Sequence, residues 1–290
     1  MVIAAWTGAE ALGRCLASLR RQEPRVDFEV VVARNFDVGA ATALAECPGS
    51  VDVPLERGAT VPELRGAGLR RSTGLVVAFL EDHAVCVPGW VAALLRAHAA
   101  PVAAVGGPVE CGEGASPLDW AVYFYDYGRY MSPIAAGERA DLSGLNMSFK
   151  RSALDAAADA VRDGVFEDRL LGAIRAGHGT LWLEPGAAVL HDRRHGAAEA
   201  TLRAYHLARG FAARRVAGAG AARRLAFAFA AFGLPALSLA RCGLGVLRRR
   251  RHVEKFARAL PWLAVLVAFW SAGECLGYLA GPGSSGGRWR

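Results

Sequence analysis

Two carboxylates and an imidazole stand in a row at Glu81-Asp82-His83, directly after the unbroken apolar run Leu75 to Leu80. Such a run is typical of a strand buried on both faces, and the carboxyl end of such a strand is where α/β sheets hold ligands. Carboxylate and imidazole together bind divalent cations, and the histidine suits Mn2+ better than Mg2+, which prefers oxygen. The competing reading is that the three residues only finish a strand. A second carboxylate pair, Glu167-Asp168, heads a helical stretch running to Arg175. A carboxylate there is either a base that takes a proton or an anion favoured by the helix dipole. His191 follows the short apolar run Ala187 to Leu190 and is either a further ligand or a surface residue.

The elements that must position these groups alternate along the chain. Val2 to Ala5 reads as a strand, followed by a helix with Leu12, Cys15, Leu16 and Leu19 on one stripe. Phe28 to Ala33 and Val51 to Pro54 read as strands, Val61 to Ser72 as a helix, and Leu75 to Leu80 as the buried strand. After the Pro88-Gly89 turn come a helix from Trp90 to His98 and a strand at Val102 to Val105. Residues 110 to 145 are less regular and rich in aromatics, which suits either a substrate-facing insertion or an aromatic-packed segment. Asn146 to Phe149, a helix at Arg151 to Ala158, the Glu167 helix and a strand at Thr180 to Leu183 complete this part. Strands alternating with helices predict an α/β fold with a mainly parallel sheet.

Over roughly residues 1 to 195 the sequence resembles glycosyltransferase family 2, of GT-A fold, in a bacterial-type form. The resemblance is carried in order by Val2-Ile3-Ala4-Ala5, Pro62 to Gly68, Gly74 to His83, and Pro88-Gly89-Trp90. It continues through Asn146 to Arg151, Phe166-Glu167-Asp168, and Pro185 to His191. It implies an inverting, metal-dependent transfer of a sugar from a UDP- or GDP-sugar. Glu81, Asp82 and His83, with His191, would hold Mn2+ or Mg2+ against the donor diphosphate; His83 departs from the family pattern, which has an acid there. Asp168 would be the base that deprotonates the acceptor hydroxyl, and Glu167 its orienter. Ala5, Trp6 and Thr7 would flank the nucleotide base, with Arg65 and Asp82 approaching the donor. The acid usual after the second strand is missing from Ala33-Arg34-Asn35-Phe36-Asp37, and Asp37 is the substitute at hand.

The apolar fraction of 53% is concentrated after Leu225, in runs at Leu225 to Ala240 and Leu260 to Gly273. These span 16 and 14 residues, short of the roughly 20 needed to cross a bilayer. Basic clusters at Arg203 to Arg224 and Arg248 to Arg258 flank them, so the net charge of +7 points to anionic lipid headgroups and not to nucleic acid. Both runs lying within one leaflet is the favoured arrangement; a spanning hairpin and a soluble helical subdomain are the alternatives. The expected division is a catalytic GT-A domain at 1–198 and a membrane-associated helical region at 199–290. Six scattered cysteines form no CxxC pair, and Met1 leads directly into the first strand without a secretory signal pattern. The expected location is the cytoplasmic face of the bacterial inner membrane, and the expected acceptor is lipid-linked or a polysaccharide precursor. A sugar-phosphate nucleotidyltransferase is the first rival, although Thr7-Gly8-Ala9-Glu10 is no Gly-rich phosphate loop with a basic residue. A catalytically silent scaffold of a glycan assembly complex is the second.

Overall fold

A computed structural model describes residues 1–287 of the chain. The strands are β1 (Val2–Ala5), β2 (Val31–Arg34), β3 (Val51–Pro54), β4 (Val76–Glu81), β5 (Ala84–Cys86), β6 (Ala104–Gly106), β7 (Val109–Cys111), β8 (Gly137–Glu138), β9 (Asn146–Lys150), β10 (Leu181–Leu183) and β11 (Val189–His191). The helices are α1 (Ala9–Arg20), α2 (Ala40–Leu44), α3 (Val61–Arg71), α4 (Trp90–His98), α5 (Pro117–Asp126), α6 (Arg151–Ala156), α7 (Ala158–Val161), α8 (Glu167–Ala176), α9 (Ala197–Arg215), α10 (Ala221–Ala231), α11 (Leu234–Arg249) and α12 (Val253–Ala280).

The chain divides into two units, one of Met1–Gly112 with Tyr130–Arg193 and one of Glu113–Arg129 with the residues from Arg194 onward. The first is a mixed α/β unit whose large sheet runs β3-β2-β1-β4-β9-β6-β10-β8. β1, β2, β3 and β4 are mutually parallel, as are β6 and β10, while β9 lies antiparallel to both β4 and β6. The strand expected at Phe28 begins at Val31, since pairing with β1 starts at Val2↔Val31. A small sheet, β5-β11-β7, pairs His191 with Ala84 and with Cys111. His191 is thus the last residue of a strand and does not lie beyond it.

Residue choice explains these elements locally. Helix α3 starts at a capping box, in which Glu63 Oε2 accepts from the Thr60 backbone N–H at 2.7 Å, and Pro62 sits in its first turn. Gly68 lets α3 settle on β1, because a Cβ there would fall 2.3 Å from Val2 Cγ1. The stripe Leu12, Cys15, Leu16 and Leu19 of α1 is buried, and Phe79 and Phe149 of β4 and β9 pack edge to face in the sheet core. Asn146 is wholly buried and fully used: it accepts from Trp90 Nε1 at 3.0 Å and donates to the carbonyls of Pro108 and Ala187.

The second unit is helical, and it includes part of the aromatic segment. Trp120, Tyr123 and Phe124 of α5 are buried, and their rings meet one another, His252 and Phe256 of the same unit. Trp120, Tyr123 and Phe124 of that segment are therefore packing residues of this unit. Burial of such side chains stabilises by roughly 1.5–3 kcal/mol each. The apolar run expected to end at Gly273 is continuous with a helix of 28 residues. It extends through Glu274 because that carboxylate is buried with partners, accepting from Trp270 Nε1 at 2.8 Å and from the Tyr278 hydroxyl at 2.6 Å. The other run is split between α10 and α11, which meet at a 51° bend where Gly233 and Pro235 interrupt the helix.

Candidate functional site

The carboxyl end of β4 delivers Glu81, Asp82 and His83 to the turn between β1 and α1. Asp82 is entirely buried, and its Oδ2 accepts from three consecutive backbone amides: Trp6 at 2.9 Å, Thr7 at 2.7 Å and Gly8 at 3.3 Å. Three amide donors on one carboxylate oxygen fix the path of that turn. The other oxygen, Oδ1, is buried with no hydrogen-bond partner and lies 3.5 Å from His83 Nδ1. Asp82, expected among the cation ligands, thus has one of its two oxygens occupied by the turn. Gly8, at φ 134°, takes a backbone conformation that a side chain would strain.

Glu81 is held from two sides. Its Oε1 accepts from Arg65 at 2.8 Å and its Oε2 from the Trp6 indole at 3.1 Å, with His83 Nε2 3.8 Å from the same Oε2. His83 is buried; its Nδ1 lies 3.3 Å from Thr7 Oγ1, and its ring meets His191 edge to face at 5.0 Å between centroids. The backbone joins the two histidine strands, since Asp192 N donates to His83 O at 2.8 Å. The sequence-predicted residues Trp6, Thr7, Glu81, Asp82, His83 and His191 are thus brought together. Ala5, the end of β1, is buried directly before them. The Arg193 guanidinium lies over the Trp6 ring at 4.2 Å, a contact that the sequence reading missed because only β11 sets its register.

Arg65 extends the cluster to the second carboxylate pair. Only 3% exposed, it donates to Glu81 and to the Gly144 carbonyl at 2.9 Å, and its other terminal nitrogen is 3.8 Å from Glu167 Oε2. Glu167 reaches in over Gly144, where a Cβ would fall 1.5 Å from its Oε2. Gly144 is a second residue that the sequence did not single out. Asp168 is exposed at the same helix start, and its Oδ1 accepts from Arg169 N at 2.9 Å. Asp37 is not brought into the cluster. It is 94% exposed and bonded to Arg34 at 2.6 Å, while Asp52 of β3 takes Arg34 in a two-pronged pair at 2.8 and 2.9 Å. At the second strand an arginine with its own acids stands in place of a lone acid.

No three His, Cys, Asp or Glu side chains among the described residues form a ready metal cage. That does not exclude Mn2+ or Mg2+ here, since such ions are commonly held by one or two protein side chains together with substrate phosphates and water. Glu81 Oε2 beside His83 Nε2, with the unpartnered Asp82 Oδ1 nearby, is a donor set of that kind.

Residues 1–157 match the model of glycosyl transferase family 2, and the chain belongs to that family. It is a glycosyltransferase, which sets aside both the nucleotidyltransferase and the silent-scaffold readings. Among solved structures, a mannosyltransferase from Pyrobaculum calidifontis, determined with GDP-Man and Mn2+, is 19% identical with a TM-score of 0.55. That alignment covers 95% of this chain and 86% of the other, so the likeness of fold reaches into the helical unit. GalNAc-T7, determined with UDP, GalNAc and Mn2+, is 14% identical with a TM-score of 0.52, over 67% of this chain and 43% of its own. No curated protein sequence matches the chain.

Proposed function

We propose that this glycosyltransferase moves a sugar, with inversion at the anomeric carbon, from a nucleoside-diphosphate sugar to a hydroxyl of a lipid-linked or polysaccharide-precursor acceptor. The proposed place is the cytoplasmic face of the bacterial inner membrane. The observation that carries the chemistry is the chain Glu81–Arg65–Glu167, in which one buried guanidinium joins the acid at the end of β4 to Glu167 at the start of α8. Donor and acceptor chemistry each need a carboxylate; Glu81 stands in this network, and Asp168 follows Glu167 directly in sequence, outside it.

The turn Trp6-Thr7-Gly8, fixed by Asp82, presents backbone and indole to the nucleotide. Arg65, donating to Glu81 Oε1, keeps that carboxylate aimed at the diphosphate end of the donor. Glu81 and His83, with His191 beside them, are the side chains that would hold Mn2+ or Mg2+; a bound divalent cation neutralises charge on the departing diphosphate as a Lewis acid. The Mn2+ present with both relatives of like fold supports this choice, and their GDP-Man and UDP support a GDP- or UDP-sugar donor. Asp37 is left out of the donor contacts because its carboxylate pairs with Arg34.

Of the carboxylate pair, Glu167 is engaged by the buried Arg65 guanidinium and orients the helix start. Asp168 is exposed and takes the proton from the acceptor hydroxyl as that oxygen attacks the anomeric carbon. The test is to incubate the full chain with UDP- and GDP-sugars and vesicles carrying lipid-linked acceptors, following nucleotide release and the anomeric configuration of the product. Inversion is expected. A retained configuration, or hydrolysis of donor with no acceptor product, overturns the proposal.

A further inference from the structure

The helical unit exposes an apolar elbow bounded by arginines. Leu225 and Phe229 of α10 and Phe232 at its C-cap recur at i, i+4 and i+7 and are 60%, 81% and 72% exposed; Leu237 of α11, past the 51° bend, is 52% exposed. Every exposed residue from Leu225 to Ala240 is apolar, with Arg223 before the stretch and Arg241 after it. A monomeric soluble surface rarely leaves two phenylalanines open on one stripe. Between Glu199 and Glu254 the chain carries eleven arginines and no acid. Arg203 and Arg215 pair with Asp126 and Glu274 of other helices, and the positive excess that is left attracts an anionic surface and repels a second copy of the same face.

α12 is the only single helix among the described residues long and apolar enough to cross a bilayer, yet one face of it is packed within the helical unit. In its most apolar window 44% is buried within the protein. Gly273 and Gly277 bring it so close to α9 that a Cβ would fall 2.3 Å from Tyr205 O and 2.4 Å from Arg209 O. Arg209 and Arg224 donate to its last carbonyls, at Gly281 and Tyr278. A crossing α12 would draw α9, with Arg203, Arg209, Arg214 and Arg215, into hydrocarbon, where charged side chains are costly.

We infer that the α10–α11 elbow inserts into one leaflet of an anionic lipid bilayer, with Phe229 and Phe232 as its anchors, while α12 stays in the helical unit and does not cross. This rests on the proposed membrane-borne acceptor and supplies the device that brings the enzyme to it. The test uses the full chain with vesicles of phosphatidylcholine, with and without phosphatidylglycerol. Co-sedimentation is expected only with phosphatidylglycerol and should weaken with salt. Phe229→Glu with Phe232→Glu should weaken it by about a hundredfold or more. Phe229→Ser with Phe232→Ser, milder at these exposed sites, should weaken it less, and unchanged circular dichroism and nucleotide affinity will show that both variants fold.

Unchanged sedimentation of the variants overturns the elbow. So does a wild-type dimer that both variants disrupt without any change in vesicle binding, which would make the partner a second copy. In a background with the native cysteines changed to serine, Arg248→Cys and Ala280→Cys should both remain open to an impermeant maleimide after addition to preformed vesicles. Protection of either one overturns the non-crossing α12. None of these readouts needs sugar transfer, so vesicle binding without transfer would sink the acceptor assignment alone.

Discussion

The strand-end cluster and the α10–α11 elbow treat polarity in opposite ways. At the cluster the chain buries polar and charged side chains: Asp82, Arg65, His83 and His191 are all under 5% exposed, and each is held by groups from other elements. At the elbow it exposes apolar rings with no protein partner to cover them, as Phe229 shows at 81%. Burying charge costs free energy unless every partner is in place, and exposing Phe forgoes the gain of burial. Each region therefore departs from what folding alone would favour, and the partners proposed for them differ accordingly: a charged small molecule at one, lipid at the other.

If the cluster is the chemical end of the enzyme, the largest effect should come from the base. Asp168→Asn should lower transfer about 10²–10⁴-fold with donor affinity unchanged. Glu167→Gln should cost less in turnover and should also loosen donor binding through Arg65. The reverse ranking, measured as kcat and nucleotide Kd for both variants, would make Glu167 the base.

Asp82→Ala should come next. It leaves three amide donors of the Trp6-Thr7-Gly8 turn without their acceptor, at about 1–3 kcal/mol for the first unmade bond, and it should abolish nucleotide binding. Thermal denaturation with nucleotide titration checks both, and a variant that binds normally would remove Asp82 from the donor site. Gly144→Ala separates function from stability more finely. The added methyl displaces the flexible end of Glu167 and crowds the buried Arg65 Nη2 at 3.1 Å, so turnover should fall roughly tenfold, about 1.4 kcal/mol, with a smaller loss of melting temperature.

The smallest effect distinguishes the two units by acidification. Burial, helped by the nearby Lys150 charge, lowers the His98 pKa from 6.5 to about 4. The unfolded chain therefore takes up that proton first, and stability present above pH 6.5 is lost as pH falls toward 4. Asp119 of the helical unit is raised by burial, but hydrogen bonds from His195 and Ser116 outweigh this and lower it from 3.8 to about 2. Its contribution is present above pH 3.8 and is lost only below that. Hydrogen-exchange protection around α4 and β9 should decline between pH 6.5 and 4 while that around α5 holds, and His98→Asn should flatten the first decline. Parallel loss in both regions would contradict the assignment.

Much of the catalytic unit was legible because its strands are apolar runs of the right length: Val76–Glu81 and Val51–Pro54 lie where the pattern put them. The antiparallel placement of β9 between β4 and β6 was not, since an apolar run carries no sign of strand direction. Glu81, His83 and His191 could be chosen by type and position. Gly144 could not, because its role is to lack a side chain where Glu167 arrives. The second strand misled for a related reason: an acid was sought where Arg34 stands, and only pairing with β3, which sets Asp52 opposite Val32, brings that carboxylate within reach of the Arg34 guanidinium. The length of α12 was hidden by Glu274, which reads as a helix-ending charge until Trp270 and Tyr278 are seen to satisfy it.

The central claim is that Glu81 and His83 hold a divalent cation against the donor diphosphate, and calorimetric titration of the full chain with UDP and GDP, with Mn2+ or with chelator, tests it most directly. One nucleotide should bind with Mn2+ and lose most of its affinity under chelation, and Glu81→Gln with His83→Ala should reproduce that loss while leaving the fold intact. Equal affinity with and without Mn2+, or metal-dependent binding that survives the double substitution, would contradict it.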